Sequence, residues 1–169
     1  MIAYVFWHRA APESDGYEDR LVAFHRALAA HAPEGFRSSR AFRLDRAPWL
    51  DGAGTPYEDW YLVDSWAALG TLNTGAVSGT RAAPHDAVAA LSREGAGGVY
   101  APLHRAEPLA GEVSWLVKPG GMSYLEFHAQ LAGRPAWQRQ MVLGVAPEYV
   151  VEEAAVGWPA VTVARDLVC

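Results

Sequence analysis

Six histidines and a set of carboxylates are the side chains in this sequence that could transfer protons or hold a metal. His8 comes first, at the end of an apolar, aromatic segment that predicts a β-strand. Because the side chains of a strand alternate between its faces, His8 shares one face with Phe6, and Arg9 shares the other with Trp7. We predict that His8 is a catalytic acid or base and that Arg9 binds a ligand. The alternative for His8 is a solvated histidine at a strand end.

A carboxylate that orients a histidine supports acid–base chemistry, and Asp64 is the candidate for that role. It ends the segment Asp59-Trp60-Tyr61-Leu62-Val63-Asp64, in which alternation places Trp60 and Asp64 on one face. We therefore predict Asp64 as a catalytic residue and Trp60 as a ligand contact. Asp64 also precedes Ser65, a typical helix N-cap, where a carboxylate favours the helix dipole. The local sequence favours this second interpretation.

His85 is a further catalytic candidate, within Pro84-His85-Asp86. Proline suits the first helical position, and a histidine at a helix start has its pKa lowered, so His85 could act as a neutral base. The neighbouring Asp86 is more simply explained as an acid of the first helical turn.

His104 and Arg105 follow a glycine-rich segment, Gly95-Ala96-Gly97-Gly98, that predicts a turn. Backbone amides of such a turn could bind an anion, although the spacing is not that of a phosphate-binding loop. Tyr100 lies in the short strand predicted after the turn. We predict His104 as a catalytic residue, and Arg105 and Tyr100 as ligand-binding residues.

Composition and motifs argue against several classes of function. The net charge of −5 is unsuited to nucleic acid, which needs a basic surface. The one cysteine, Cys169, allows neither an intrachain disulfide nor a thiolate metal cluster, which fits a reducing compartment. Nucleotide-binding, zinc-protease and serine-hydrolase motifs do not occur. We expect no signal peptide, and we find no apolar stretch long enough to span a membrane, so we expect a cytoplasmic protein without membrane contact.

Two parts of the chain repeat the same pattern. Val5-Phe6-Trp7 leads to Phe24-His25-Arg26-Ala27-Leu28-Ala29, and Val113-Ser114-Trp115 leads to Phe127-His128-Ala129-Gln130-Leu131-Ala132. Internal repetition determines the overall architecture, so we consider it before we assign individual strands and helices. The repeated histidines could hold a metal or haem, but a shared ancestor explains them as packing residues of a helix.

The first part of the chain predicts the order β-α-β-β-α-β. The predicted elements are a strand at 2–9, a helix from Asp15 to Pro33, strands at 36–45 and 59–64, a helix after Ser65, a helix from Pro84 to near Gly95, and a strand at 99–101. The segment 36–45 alternates with Phe36, Phe42 and Leu44 on one face. This order is that of a ferredoxin-like unit.

The second part repeats the order in shortened form. It predicts strands at 113–118, 137–143, 148–153 and 160–163, a helix at 122–132, and little room for a second helix at 154–157. We assign one repeat with a helical insertion to residues 1–106 and a shortened repeat to 107–169, packed as one compact unit.

Tandem units of this kind resemble the dimeric α+β barrel superfamily. The resemblance implies an α+β fold in which two antiparallel sheets pack as a barrel with helices outside, and a ligand cavity between the sheets. It also implies a range of activities, from cofactor-free monooxygenases and isomerases to haem-binding chlorite dismutase-like proteins. Fold alone does not choose among them.

Three functions follow as hypotheses. The first is binding of a small aromatic or apolar ligand, with cofactor-free catalysis by the histidines and with no metal. The second is haem binding through one histidine, as the superfamily suggests. The third is a non-catalytic protein that forms a homodimer through an exposed sheet face or edge strand.

Overall fold

The structure, a computed structural model, describes residues 1–104, 111–141, 147–152 and 158–169. Within them the chain is a mixed α+β fold. The strands are β1 (Ile2–Ala10), β2 (Phe36–Leu44), β3 (Pro56–Val63), β4 (Ser92–Pro102), β5 (Val113–Leu116), β6 (Ala136–Arg139), β7 (Tyr149–Glu152), β8 (Ala160–Val163) and β9 (Arg165–Leu167). The α-helices are α1 (Tyr17–Ala30), α2 (Trp66–Gly75), α3 (Ala82–Ala89) and α4 (Tyr124–Gln130). None of the helices in this part of the chain has the length and hydrophobicity needed to cross a lipid bilayer.

Hydrogen bonds join these strands into one antiparallel sheet with the order β8-β5-β7-β6-β4-β1-β3-β2-β9. The first half of the chain contributes β4-β1-β3-β2 and the second contributes β8-β5-β7-β6, so the relative order is the same in both. The sequence predicted two sheets, whereas the structure has one, because β4 pairs with β6 and connects the halves.

The sheet is strongly curved. The ring centroids of Trp7 on β1 and Trp115 on β5 lie 5.0 Å apart, although three strands separate β1 from β5 in the sheet and neighbouring strands lie about 4.8 Å apart. The edge strands β8 and β9 are separated in the sequence only by Ala164. The two edges of the sheet are therefore brought together by the chain itself.

The inner face of the curved sheet is a tryptophan-rich core. Its aromatic side chains are Trp7, Trp49, Trp60, Trp115, Trp137 and Tyr100, joined by Phe42. The family resemblance implied a ligand cavity in this space, but the described side chains there are packed against one another. Edge-to-face ring contacts, such as the one between Trp60 and Trp137 at 5.4 Å, are the favoured geometry for such packing.

A buried ion pair lies within this core. Glu58 on β3 accepts hydrogen bonds from the indole N–H groups of Trp7 (2.9 Å) and Trp60 (2.6 Å) and from Arg165 Nη1 (2.7 Å). The Arg165 guanidinium also lies 4.2 Å from the centre of the Phe42 ring. These contacts attach the last strand to the centre of the sheet.

The opposite face of β1–β4 is covered by α1, α2 and α3, and we call it the helix-side face. Leu21, Phe24 and Leu28 on α1 are buried against it, as the helical spacing predicted. The Ser65 hydroxyl accepts a hydrogen bond from Ala68 N at 3.2 Å, which confirms Ser65 as the N-cap of α2. In the second half, α4 begins with a capping box between Ser123 and Glu126.

The glycine-rich segment 95–98 differs from its prediction, because it lies inside β4 and pairs with β1. A Cβ on Gly97 would lie 2.9 Å from the Tyr4 hydroxyl, and one on Gly95 would lie 3.2 Å from the Phe6 ring. The glycines therefore let β4 approach the aromatic side chains of β1. The segment is extended and pairs with β1, and the predicted anion-binding turn is not formed.

Other elements also depart from the sequence-based expectation. Strand β3 begins at Pro56, and α3 begins before Pro84 and ends at Ala89, not near Gly95. A shift of register after Phe36 breaks the alternation of β2, so Phe36 packs on the helix-side face while Phe42 lies in the inner core. The short segment 154–157 lies outside the described residues.

Candidate functional site

A cavity of about 700 Å³ lies on the helix-side face, between the sheet and α1, α2 and α3. Most of its wall is apolar, with contributions from Phe6, Phe24, Trp66, Leu69, Leu72 and Val88. Trp66 is half-exposed, so the cavity opens to solvent beside it. Cavities of a few hundred cubic ångströms with mostly apolar walls are typical of small-molecule sites.

A buried polar cluster forms the other part of the cavity wall. Nε2 of His8 lies 3.2 Å from Asp59 Oδ2, and Nδ1 of His8 lies 2.7 Å from the Tyr17 hydroxyl. The Tyr17 hydroxyl in turn lies 3.0 Å from the hydroxyl of Ser92. These four residues, Asp59, His8, Tyr17 and Ser92, form one hydrogen-bonded chain, and all four line the cavity.

The sheet and α1 position this chain. Strands β1 and β3 are antiparallel with Phe6 opposite Asp59, which places Asp59 diagonally across from His8 on the same face. Helix α1 begins at Tyr17, directly after Gly16, which has the left-handed conformation (φ 70°). The side chain of Tyr17, the first residue of the helix, therefore reaches His8. The Tyr57 ring stacks on the His8 ring, with the two centroids 5.7 Å apart, and fixes the orientation of the imidazole plane.

His25 and Tyr61 complete the surroundings of Asp59. The Tyr61 hydroxyl donates a hydrogen bond to Asp59 Oδ2 at 2.9 Å, and Nε2 of His25 lies 3.7 Å from the same oxygen. Nδ1 of His25 is 2.7 Å from the Ser39 hydroxyl, and its ring stacks on Tyr61. The repeated histidine of the first half thus lies beside the buried carboxylate.

Electrostatics keep Asp59 ionised in spite of its burial. Burial alone would raise the pKa of Asp59, but the charge of His8 and the close approach of His25 outweigh it, and the pKa lies well below the usual range. An ionised carboxylate accepts hydrogen bonds and does not donate them. His8 therefore donates from Nε2 to Asp59.

Two polar atoms of the cluster have no hydrogen-bond partner among the described residues, Asp59 Oδ1 and His25 Nε2. Both residues are buried, and only 2% of Asp59 is exposed. A buried polar group without a partner costs free energy comparable to that of a lost hydrogen bond. A water or a ligand group that reached Asp59 Oδ1 would recover that cost.

The predicted catalytic residues fall in different places. His8 belongs to the cluster. His85 lies on the cavity wall, partly exposed, with its ring 5.5 Å from that of Phe24 and its Nδ1 3.0 Å from Asp86. Asp64 is exposed and forms an ion pair with Arg37 instead of orienting a histidine. His104 is exposed near α4, where its Nε2 lies 3.3 Å from the carbonyl oxygen of His128.

The three predicted ligand-binding residues that the structure describes lie away from the cavity. Trp60 is in the inner core, and Tyr100 is buried there and donates a hydrogen bond to the Pro147 carbonyl at 2.6 Å. Arg9 holds the loop after β2 through the carbonyl oxygens of Asp51 (2.9 Å) and Gly54 (2.8 Å). Arg105 lies outside the described residues.

Sequence reasoning missed Asp59, Tyr17, Ser92 and Tyr61 as members of the site. Alternation along β3 does place Asp59 and Tyr61 together, opposite to Trp60. The alternation fits either face as the ligand face, because both faces of β3 are buried. Among the described residues, no three metal-ligating side chains converge on one point.

Comparison with known proteins gives little that bears on function. No protein-family model matches the sequence, and no curated protein matches it at a significant level. A crystal structure of a protein provisionally designated a chlorite dismutase is similar in fold, with a TM-score of 0.47 and 14% sequence identity. The match covers 89% of this chain and 78% of that chain. We draw no conclusion about activity from it.

Proposed function

We propose that this protein binds a small, largely apolar aromatic compound in the helix-side cavity, with a hydrogen-bond donor of the compound directed at the polar cluster. One observation carries the proposal: an apolar cavity ends at a buried carboxylate, Asp59, whose Oδ1 has no partner among the described residues.

The cavity wall favours an uncharged ligand. None of the described side chains that line it belongs to lysine or arginine. A carboxylate or phosphate on the ligand would lose its hydration without gaining a fixed cation, and it would face the Asp59 carboxylate. Aromatic rings of the wall, such as those of Phe6, Phe24 and Trp66, offer faces and edges for a planar ligand.

The polar end favours a ligand with an O–H or N–H group. Asp59 Oδ2 already accepts hydrogen bonds from His8 and Tyr61, whereas Oδ1 accepts none from the described residues. A ligand donor at Oδ1 would form a charge-assisted hydrogen bond, the stronger class. This hydrogen bond would both strengthen the binding of the ligand and fix its orientation in the cavity.

We infer that the two halves descend from one duplicated ferredoxin-like unit, and their difference supports the site. The shared strand order and the repeated Trp7 and Trp115 support the duplication. With these tryptophans matched, Leu116 takes the place of His8. Val151, opposite Ser114, takes the place of Asp59. The second half forms the same strand order without the polar pair, so the pair serves a purpose other than the fold.

Haem is the less favoured occupant. His8 and His85 are the described histidines that line the cavity. Both ring nitrogens of His8 have hydrogen-bond partners, so ligation of iron by His8 would break a contact to Asp59 or Tyr17. The Nδ1 of His85 is bonded to Asp86. These contacts fit an organic ligand better than an axial iron ligand.

Titration calorimetry with 4-nitrophenol and 4-nitroanisole tests the proposal. Both probes should bind the wild-type protein, and the phenol should bind more tightly because it carries a donor for the polar cluster, to Asp59 Oδ1 or to the Tyr17 oxygen. Ala76 lies in the cavity wall, so Ala76→Phe should fill the space and weaken both probes by about tenfold or more, ~1.4 kcal/mol.

Ala67→Phe is the matched control, because Ala67 is exposed on α2 and does not line the cavity. It should leave the binding of both probes unchanged. Equal binding by the wild type and Ala76→Phe, or no binding of either probe, would overturn the proposal. A stoichiometric haem complex with a Soret band that Ala76→Phe abolishes would replace the proposal with the haem alternative.

A further inference from the structure

We propose that Tyr17 and His8 form a proton relay that ionises a hydroxyaromatic ligand bound in the cavity. This inference rests on the proposed function and adds to it a substrate class and a reaction, the removal of a hydroxyl proton. The geometry that supports it is the unbroken chain from Asp59 through His8 and Tyr17 to Ser92.

The directions of the hydrogen bonds follow from the carboxylate. Ionised Asp59 only accepts, so His8 Nε2 carries a proton; in the neutral form of His8, which the relay requires, Nδ1 is then an acceptor. The Tyr17 hydroxyl must then donate to Nδ1 at 2.7 Å. A donating hydroxyl keeps its oxygen lone pairs free, and the Tyr17 oxygen can accept from a second group.

Ser92 gives this chain two self-consistent states. The Ser92 hydroxyl has one proton and two acceptors within reach, the Tyr17 oxygen at 3.0 Å and the Val88 carbonyl oxygen at 3.1 Å. When Tyr17 donates to His8, Ser92 can donate to Tyr17. When His8 is doubly protonated, Nδ1 donates to Tyr17, Tyr17 donates to Ser92, and Ser92 donates to Val88. Every proton has an acceptor in both states.

The roles of the two acids in the chain differ. Burial and, to a lesser extent, the nearby Asp59 charge raise the pKa of Tyr17, and they outweigh the Ser92 hydrogen bond, which lowers it. Tyr17 therefore stays protonated, and it transfers a proton without becoming a stable anion. Asp59 is too weak a base to keep a proton, because its pKa lies below the usual range. It orients His8 and stabilises the imidazolium, and it is a positioning residue in this reaction.

The proton transfer is balanced within the chain. The ligand O–H bond breaks and its proton passes to the Tyr17 oxygen, while the Tyr17 O–H bond breaks and that proton passes to His8 Nδ1. The electron pair of the ligand O–H bond stays on the ligand oxygen. The products are a bound phenolate and an imidazolium that lies between Asp59 and Tyr17.

The cavity selects the substrate class for this step. Its wall is aromatic and lacks described lysine and arginine side chains, so a neutral hydroxyaromatic enters more readily than an anion. Charge appears only after the proton has moved, and the imidazolium then compensates it. An activated phenolate is the expected result of binding.

The absorption spectrum of 4-nitrophenol tests the relay, because its phenolate absorbs at longer wavelength than the phenol. With protein in excess, the apparent pKa of the probe bound to the wild type should lie below that of the free probe by about one unit or more, a tenfold shift in its ionisation equilibrium. Tyr17→Phe and His8→Gln should each abolish the shift.

Tyr124→Phe is the matched control for Tyr17→Phe. Tyr124 is exposed on α4, its hydroxyl donates a hydrogen bond to Glu148, and it does not line the cavity. Tyr124→Phe should keep the spectral shift. Circular dichroism and thermal unfolding verify that each variant is folded, and the wild-type spectrum alone tests the relay if a variant does not fold.

The outcomes separate the two proposals. If 4-nitroanisole binds the wild type and bound 4-nitrophenol keeps the spectrum of the phenol, the relay is wrong and the proposed function stands. A shift that persists in folded Tyr17→Phe or folded His8→Gln also contradicts the relay. If neither probe binds, the proposed function fails and the relay fails with it.

Discussion

Glu58 and Asp59 are adjacent in the sequence and buried on opposite faces of β3. Glu58 lies in the tryptophan-rich core with Arg165, and Asp59 lies on the helix-side face with His8. Successive side chains of a strand point to opposite faces of the sheet, so the two carboxylates are separated and have different partners. Glu58 has all its described partners within the core, whereas Asp59 lines a cavity and its Oδ1 has no hydrogen-bond partner among the described residues.

The Glu58–Arg165 pair should be essential for stability. Arg165→Met leaves Glu58 buried without its cation, and we expect the free energy of unfolding to fall by about 3–5 kcal/mol in urea denaturation. Glu58→Gln combined with Arg165→Met should cost less than the sum of the single changes, because no unpaired charge remains.

Arg43→Met is the control for this prediction. Arg43 forms ion pairs with Glu18 and Asp166 on the surface, where solvent screens them, so its loss should leave stability nearly unchanged. Equal effects of the two arginine substitutions would contradict the structural role of Arg165.

Asp59 should make stability depend on pH in the acid range. The pKa of Asp59 is lowered in the folded protein. Below pH of about 4, Asp59 therefore becomes protonated in the unfolded chain while it is still ionised in the folded protein. The contribution of Asp59 is thus complete above that pH and is lost as the pH falls towards its folded-state pKa. Urea denaturation from pH of about 5 to 2.5 should show a steeper loss for the wild type than for Asp59→Asn. Parallel curves would rule the effect out.

Gly97 should resist substitution. A Cβ at this position would lie 2.9 Å from the Tyr4 hydroxyl and 3.1 Å from the Val5 carbonyl oxygen, so Gly97→Ala should cost about 1–3 kcal/mol. Gly70 is helical and has open space around it, and Gly70→Ala should be neutral or stabilising by up to about 1 kcal/mol. Thermal unfolding measures the stability of both variants. If Gly97→Ala were as stable as the wild type, β4 and β1 would be able to move apart.

The sequence predicts many of the individual strands and helices, but it predicts the site poorly, for a physical reason. Strand and helix periodicity indicated β1, α1 and β2, and Ser65 indicated the start of α2. Periodicity also put His8 on the face opposite Arg9. It could not tell which face of β3 meets a ligand, since every residue of β3 is buried in the fold.

The glycine segment shows a second limit of sequence reasoning. Gly95 and Gly97 indicate a turn by their conformational freedom, but here they serve close contact with Tyr4 and Phe6. That contact exists only after β1 and β4 have paired. Long-range relationships of this kind, like the approach of Tyr17 to His8, depend on the assembled sheet and helix.

The position of a bound ligand tests the central claim most directly. Intermolecular nuclear Overhauser effects between 4-nitroanisole and methyl-labelled protein distinguish the two faces of the sheet. The account predicts contacts to the methyl groups of Leu72 and Val88 in the cavity wall, and none to Val150 and Val163 in the inner core. Contacts to Val150 and Val163, or saturable binding without contacts to Leu72 and Val88, would contradict it.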